Sequence, residues 1–430
     1  MENFSFLRHV SPLRVALIGA SVYLLIFLLS PLRVDIDFSG WGIVYLLSGY
    51  AALACGCVAY EFIPKRKRRG QRTSVFHHPG MRLVGLVYSA SLIGVVLKIY
   101  DRFFVRGISL FEDALSRREV IQAAGANIFS IFGGVLYPFC YLTLFVYLLI
   151  SRDGERRPWL FVFSLILFFF PSIDALLLGS RVILMINLGL LVLYFMYFGL
   201  FKFRFRSVIS LVLIAVFAMT LSSWIFMDRL SAMGLDVLVS IYESVYAFTV
   251  KPQPWLANAL SSATSPMAYM ALFTYLNLSQ YLVHGVFEFC YLVDNFAYGI
   301  NHTYGMSTFF VYFKLIAPFI GIGDVEADIL SAQPRSGIYT TFFGPIFVDF
   351  GWHGLFLVFL FGFFATHLWN SAKRLGERYI PLYLYIVIVI FFIPFVNLIE
   401  GAQGLYTITA FLMYATAHWL IGPRPRRQAN

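Results

Sequence analysis

Ten long apolar runs, separated mostly by short polar links, dominate the hydrophobic pattern of this chain. Each run has about 17–23 residues, close to the length that an α-helix needs to cross a bilayer. A membrane β-barrel would instead show alternating segments of about 10 residues. The pattern predicts an all-α, polytopic membrane protein with about ten transmembrane helices. The predicted spans are residues 13–30, 41–63, 81–100, 128–150, 159–178, 182–200, 207–227, 351–369, 380–398 and 405–421.

Basic residues cluster in alternate links between these spans. Lys and Arg that lie close to membrane spans are retained on the cytoplasmic side. When ten spans are threaded with both termini inside, every basic cluster falls on that one side. The sequence therefore predicts cytoplasmic termini. The clusters contain Arg8, Arg14, Lys65, Arg66, Lys67, Arg68, Arg69, Arg72, Arg152, Arg156, Arg157, Lys202, Arg204, Arg206, Lys373, Arg374, Arg378, Arg424, Arg426 and Arg427.

One interval outside the spans is of substantial size, residues 228–350, and this topology places it on the outer face. The apolar segment at 309–322 within it is too short to span, so it is interpreted as interfacial or re-entrant. The chain is thus divided into residues 1–227 with helices one to seven, the large outer loop, and residues 351–430 with three helices and a basic tail.

Composition supports a membrane protein and limits the partners. Apolar residues make up 60% of the chain and charged residues 13%, against about 45–50% and about 25% in soluble domains. The mean hydropathy is +0.78. The net charge of +10 is accounted for by the cytoplasmic clusters, so no nucleic-acid partner is predicted. The four cysteines show neither a disulfide framework nor a metal-ligand spacing.

Several arginines on the predicted outer face require an explanation, because Arg is normally depleted there. A guanidinium group binds phosphate oxygens in a bidentate fork, which suits an anionic headgroup. Arg181 is the clearest candidate, since it follows a Gly-Ser turn at the start of a span, where backbone N–H groups also favour an anion. The alternatives are weak surface ion pairs and snorkelling interfacial arginines. The candidate anion-binding residues are Arg181, Arg335, Arg106 and Arg102.

Two outer residues are candidates for proton transfer. His302 lies among polar and aromatic neighbours, and the ordinary pKa of histidine suits chemistry near neutral pH. Glu400 lies at the predicted outer tip of span nine, and ionisable residues beside the membrane core are often functional.

Three motifs and the topology carry a resemblance to a known family. The motifs are KIYDRFFVRG at 98–107, LGSR at 178–181 and RSGIYTTFFGPIFVDFG at 335–351. Together with about ten spans and a large outer loop late in the chain, they resemble the O-antigen or oligosaccharide repeat-unit polymerases (Wzy). The resemblance covers most of the chain.

The resemblance implies a glycosyltransferase of the broad GT-C type in the inner membrane of a Gram-negative bacterium. Such an enzyme transfers a growing glycan from undecaprenyl diphosphate to a second lipid-linked repeat unit, without cofactor or metal. The four candidate arginines would hold the diphosphate, and His302 or Glu400 would accept the proton from the acceptor hydroxyl. Aromatic faces for the sugars would come from Tyr304, Tyr339 and Trp255.

Three other functions remain open. An O-antigen ligase has the same topology and differs in its acceptor. A transporter or flippase for lipid-linked sugars would often show internal repeats and charges at mid-bilayer, which this sequence lacks. A structural partner without chemistry would leave the outer arginines unexplained. A chain-length regulator is left open as a further partner.

Overall fold

The computed structural model describes most of the chain in segments. Predicted span seven, at 207–227, and Arg181 lie outside the described residues, apart from isolated positions in that span. The described segments are 2–64, 80–108, 127–152, 157–177, 182–201, 244–297, 302–321, 323–335 and 338–421, with isolated positions between them.

The first half of the molecule consists of helices joined by short links. A π-helical turn, Asp101–Val105, continues the fourth helix, and a 3-10 turn at Tyr137–Phe139 contains Pro138 and joins the fifth helix to the sixth. The helices described up to residue 201 are α1 (Glu2–His9), α2 (Pro12–Leu29), α3 (Trp41–Glu61), α4 (Met81–Tyr100), α5 (Ile128–Leu136), α6 (Cys140–Arg152), α7 (Pro158–Leu177) and α8 (Val182–Tyr197).

The second half contains the outer interval and the last spans. Short strands β1 (Leu32–Val34) and β2 (Val250–Pro252) pair antiparallel, with Arg33 opposite Lys251. The helices described from residue 244 onward are α9 (Pro254–Ser261), α10 (Pro266–Asn295), α11 (Phe310–Ile320), α12 (Val325–Ala332), α13 (Phe343–Phe350), α14 (Gly354–Leu375), α15 (Ile380–Phe391) and α16 (Gly401–Ile421), with 3-10 turns at Val245–Phe248, Gly351–His353 and Gly376–Arg378.

Six helical stretches in the described residues are long and apolar enough to cross a membrane. Two further apolar helices, α8 and α15, are shorter, and α16 is not among the six. The chain is therefore a mostly helical, multi-pass membrane protein, as the hydrophobic pattern predicts. The six stretches are Pro12–Leu29, Trp41–Glu61, Met81–Val105, Ile128–Arg152, Pro158–Ala175 and Phe343–Arg374.

Glycines allow α3 and α14 to pack with their backbones in contact. A Cβ on Gly56 would lie 2.0 Å from the Phe359 carbonyl oxygen, and one on Gly362 would lie 2.2 Å from that of Leu53. Small residues at such crossings are the usual basis of close helix association in membranes. This pair makes the most extensive contact between helices in the described part of the chain.

The outer interval is docked onto the first two spans through α10. Gly42 on α3 lies against Cys290, since a Cβ there would come within 2.6 Å of the Cys290 Cα atom. The Tyr23 hydroxyl on α2 donates a 3.1 Å hydrogen bond to the Val283 carbonyl. The sequence analysis did not identify this 30-residue helix, which fixes one wall of the site described below.

Helix α15 ends earlier than predicted span nine, which was drawn to residue 398. It ends at Phe391, and residues 392–400 are irregular. Pro394 explains the early end, because a proline disfavours helical conformation in the residue before it and supplies no N–H group. Glu400 consequently lies at the end of an irregular link, directly before α16.

Candidate functional site

Arg335 is held by three contacts from two different segments. Its Nη1 donates to the Glu288 carboxylate at 2.7 Å, and its Nη2 donates to the Val245 carbonyl at 2.9 Å. The guanidinium carbon lies 3.9 Å from the centre of the Phe248 ring, within the range of a cation–π contact. The cation predicted to bind an anion is thus fixed in position rather than extended into solvent.

Glu288 on α10 is the acidic partner, and its side chain is only 3% exposed. The carboxylate also accepts a 3.0 Å hydrogen bond from the Thr249 hydroxyl. Burial raises the pKa of Glu288, while the Arg335 charge and the Thr249 hydrogen bond lower it in part. A buried carboxylate of this kind needs its partners, because an unpaired buried charge is strongly unfavourable.

Glu400 is placed by Asn397, which caps the irregular link before α16. The Asn397 Oδ1 atom accepts from the backbone N–H groups of Ile399 at 2.9 Å and Glu400 at 3.2 Å. Its amide donates to the Phe342 carbonyl at 3.3 Å, which ties the link to the start of α13. Burial of the carboxyl group raises the pKa of Glu400 to about 7, and the nearby charge of Asp349 adds to the rise. The group can therefore exchange a proton near neutral pH.

Arg335, Glu288 and Glu400 line one pocket between α10, the segment before α13 and the start of α16. Its free volume is about 20 Å³, enough for roughly one water molecule. A larger ligand can enter only if part of the wall moves. The other lining residues are Tyr291, Leu292, Gln333, Pro334, Ile338, Thr340, Gly344, Pro345 and Val348.

His302 lies beside this pocket rather than in its lining. Its Nδ1 is 3.0 Å from the Val348 carbonyl, so Nδ1 is the donor and Nε2 is the basic nitrogen. The neighbouring Asp349 is buried and accepts from the backbone N–H groups of Ser307 at 2.9 Å and Thr308 at 2.7 Å. The loop that carries His302 is thus fastened to the last turn of α13, whose Val348 lines the pocket.

Arg102 and Arg106 belong to a second charged cluster at the end of α4. The Arg106 Nε donates to Asp101 at 2.8 Å, and Arg102 forms a buried ion pair with Asp174. The Tyr137 hydroxyl donates to the same Asp174 carboxylate at 3.0 Å. Both arginines are therefore neutralised by local acids, and neither lines the pocket that contains Arg335 and Glu400.

A polar contact made by α16 shows where the second charged cluster lies relative to Glu400. The Gln403 side chain, one turn after Glu400, lies 3.1 Å from the Tyr141 hydroxyl on α6. Tyr141 is one helical turn beyond Tyr137, which holds Asp174. The second cluster therefore lies on the α6 side of α16.

Two of the three predicted aromatic contacts, Tyr304 and Tyr339, differ in their surroundings. Tyr304 is 71% exposed and has a φ of +47°, a strained backbone conformation for a non-glycine residue. Tyr339 packs against His284 with ring centres 4.5 Å apart, and its hydroxyl donates to the Tyr281 carbonyl. Neither residue lines the pocket, although both neighbours of Tyr339 in sequence do.

Glu288 is the residue that the sequence analysis did not single out. It stands alone as a charge in the stretch Gly285–Val293, which is otherwise apolar apart from Cys290 and Tyr291. A lone carboxylate in such a stretch indicates a buried charge with a partner. That signal does not identify Arg335, because the two residues are 47 positions apart.

Comparison with protein families, with curated proteins and with solved structures finds no match to this chain.

Proposed function

We propose that this chain is a glycosyltransferase of the GT-C type that polymerises lipid-linked oligosaccharide repeat units at the outer face of a bacterial inner membrane. The observation that carries the proposal is the pocket shared by Arg335 and Glu400. These residues were predicted independently as an anion binder and a proton acceptor. They are 65 positions apart, and their convergence joins the two functions that the reaction requires.

In this proposal the donor is a growing glycan on undecaprenyl diphosphate. The acceptor hydroxyl of a second lipid-linked repeat unit attacks the anomeric carbon, and the bond from that carbon to the diphosphate oxygen breaks. Glu400 takes the proton from the hydroxyl. Arg335 stabilises the negative charge that develops on the departing diphosphate, which is the role of a preorganised cation in a transition state. His302 is the alternative proton acceptor.

The Glu288–Arg335 ion pair gives Arg335 a defined role in substrate binding. A diphosphate that enters the pocket competes with Glu288 for the guanidinium group, and its oxygens match the planar fork. Because the free volume is about 20 Å³, a diphosphate can bind only if the pocket widens. The donor thus selects an open form of a pocket that is closed without it.

Four arginines were predicted to bind the diphosphate, and Arg335 is the one that this proposal places at the reaction. Arg102 and Arg106 lie in the second cluster, paired with Asp174 and Asp101, and do not line this pocket. Arg181 stays a predicted diphosphate ligand outside the described residues. A positively charged arginine at the leaving group supplies the electrostatic stabilisation that a metal ion supplies in other glycosyltransferases.

Deletion of the gene in its host, followed by gel analysis of the surface glycan, tests the proposal. The complementing variants are Arg335→Ala and Glu400→Gln, with Arg374→Ala as control because Arg374 is exposed in the last turn of α14 and does not line the pocket. We expect the deletion to reduce the ladder to core plus one repeat unit, and only the wild type and the control to restore it. Equal membrane levels are verified by immunoblot.

Three other outcomes would contradict the proposal. Loss of every added sugar would indicate a ligase or a flippase, because the first repeat unit would then not reach the core. An unchanged ladder would exclude polymerisation of that glycan. Restoration of the ladder by Arg335→Ala and Glu400→Gln would show that the pocket takes no part in the reaction.

A further inference from the structure

A second and larger cavity opens at the outer end of α3. It measures about 680 Å³, within the range of cavities that bind small ligands. None of the residues discussed above as anion binders or proton acceptors lines it. The lining residues are Asp37, Phe38, Ser39, Trp41, Val293, Asp294 and Trp352.

Two indole rings form a corner of this cavity. The rings of Trp41 and Trp352 are 6.2 Å apart and nearly perpendicular, at 89°. Trp352 is anchored because its ring packs on Tyr45 at 5.1 Å. Trp41 is 60% exposed and so presents an aromatic face to the cavity. Large aromatic surfaces with a polar N–H group are suited to ligands with both apolar and polar faces.

A hydrogen-bonded link forms one side of the cavity. The Asp294 carboxylate at the end of α10 accepts from the Ser39 backbone N–H at 2.6 Å and from the Ser39 hydroxyl. The link between β1 and α3 is therefore tied to α10. Asp37 on the same link contributes a second carboxylate to the lining.

This combination fits a saccharide better than a lipid tail. A sugar ring has an apolar C–H face that packs on an indole and a rim of hydroxyl groups that donate to carboxylates. Tryptophans at membrane interfaces also form belts against lipid. A cavity lined by two carboxylates does not suit an acyl chain, because the chain would remove their charge from water and offer no hydrogen bond in return.

The cavity lies next to the pocket of Arg335 and Glu400 along the same elements. Leu292 lines that pocket and Val293 lines the cavity, so both open onto the last turns of α10. Val348, near the end of α13, lines the pocket, and Trp352, in the 3-10 turn after α13, lines the cavity. The pocket and the cavity therefore share walls from α10 and from the region at the end of α13.

We propose that this cavity is a saccharide subsite that binds glycan units away from the reacting end. The inference rests on the proposed function, since it assigns a second contact to the glycan of the same reaction. The subsite retains the glycan by its sugars, independently of the diphosphate.

Direct binding to the purified full-length protein in nanodiscs tests the subsite. The probe is the host's repeat-unit oligosaccharide after mild acid has removed its lipid diphosphate, and affinity is measured by titration calorimetry. Trp41→Ala and Asp37→Asn are each expected to weaken binding about tenfold, the effect of losing one aromatic or polar contact. Trp159→Ala is the matched control, because Trp159 is 64% exposed on α7 and lies outside the cavity.

Wild-type affinity in both cavity variants, or no binding by the wild type, would overturn the subsite. Binding of glycerophosphoethanolamine in place of the oligosaccharide would also overturn it and would identify a lipid headgroup site. The result is independent of the gene deletion. An unchanged glycan ladder with tight oligosaccharide binding would contradict polymerisation alone, whereas a collapsed ladder with no binding would contradict the subsite alone.

Discussion

At the scale of single residues, the account depends on the protonation of Glu400. Its pKa is raised to about 7 because the carboxyl group is buried and lies near the charge of Asp349. A general base works only when deprotonated, so activity should rise as pH increases through about 7. An ordinary exposed glutamate, with a pKa near 4.3, would already be ionised throughout this range.

The first prediction concerns this pH dependence. We expect the polymerisation rate of the wild type to increase between about pH 6 and pH 8, and Glu400→Gln to lower the rate at pH 8 by about 10²–10⁴-fold. The measurement is an initial-rate assay of purified protein with lipid-linked repeat units across this range. A full wild-type rate at pH 5.5 would show that Glu400 is not the base.

The second prediction concerns the Glu288–Arg335 ion pair. Removal of one partner from a buried pair leaves the other charge uncompensated and costs about 3–5 kcal/mol. Arg335→Ala should therefore lower the thermal unfolding midpoint in detergent, and Arg335→Lys should lower it less because the charge is kept. Arg374→Ala is the control for removing an exposed arginine. Equal midpoints in all variants would mean that the pair contributes nothing to the fold.

At the scale of secondary structure elements, the close crossing of α3 and α14 fixes the two helices against each other. The site depends on this crossing, since α14 follows α13, and α13 supplies Gly344, Pro345 and Val348 to the pocket. Gly56 and Gly362 permit the approach because neither has a side chain between the backbones.

The third prediction tests that crossing. Gly56→Ala places a Cβ 2.0 Å from the Phe359 carbonyl oxygen, so it should destabilise the protein by about 1–3 kcal/mol through overpacking. Gly85→Ala on α4 is the matched control, because a Cβ there meets no atom within 4 Å. Thermal unfolding with size-exclusion chromatography measures both variants. If the two unfold alike, the close crossing does not limit stability.

At the scale of the whole molecule, the sequence predicts the helical membrane class. It predicts ten spans, and six helical stretches in the described residues are long and apolar enough to cross a membrane. The predicted span at 159–178 corresponds to α7, Pro158–Leu177, because long apolar runs have one favourable conformation in a bilayer. The helix α10 could not be predicted by the same signal. Its apolar residues are interrupted by Asn277, Gln280 and Glu288, whose positions are set by packing and pairing.

The residues of the candidate site were predictable from the sequence only in part. Arg335 stands out in the sequence as an arginine on the predicted outer face, and Glu400 as an acid at the predicted tip of span nine. Their shared pocket and their relation to Glu288 depend on long-range packing that has no local signal. Arg102 and Arg106 carry the same sequence signal as Arg335, yet they pair with Asp174 and Asp101 in a separate cluster. Charge in an outer link therefore predicts a candidate, and tertiary structure decides its role.

The most direct test of the central claim is polymerisation by the purified protein in nanodiscs, with lipid-linked repeat units as the only substrate. We expect the wild type to form glycan ladders and release undecaprenyl diphosphate. Arg335→Ala and Glu400→Gln should each reduce both products by about 100-fold or more, while Arg374→Ala should not. No ladder from folded wild-type protein, or full activity in both pocket variants, would contradict the account.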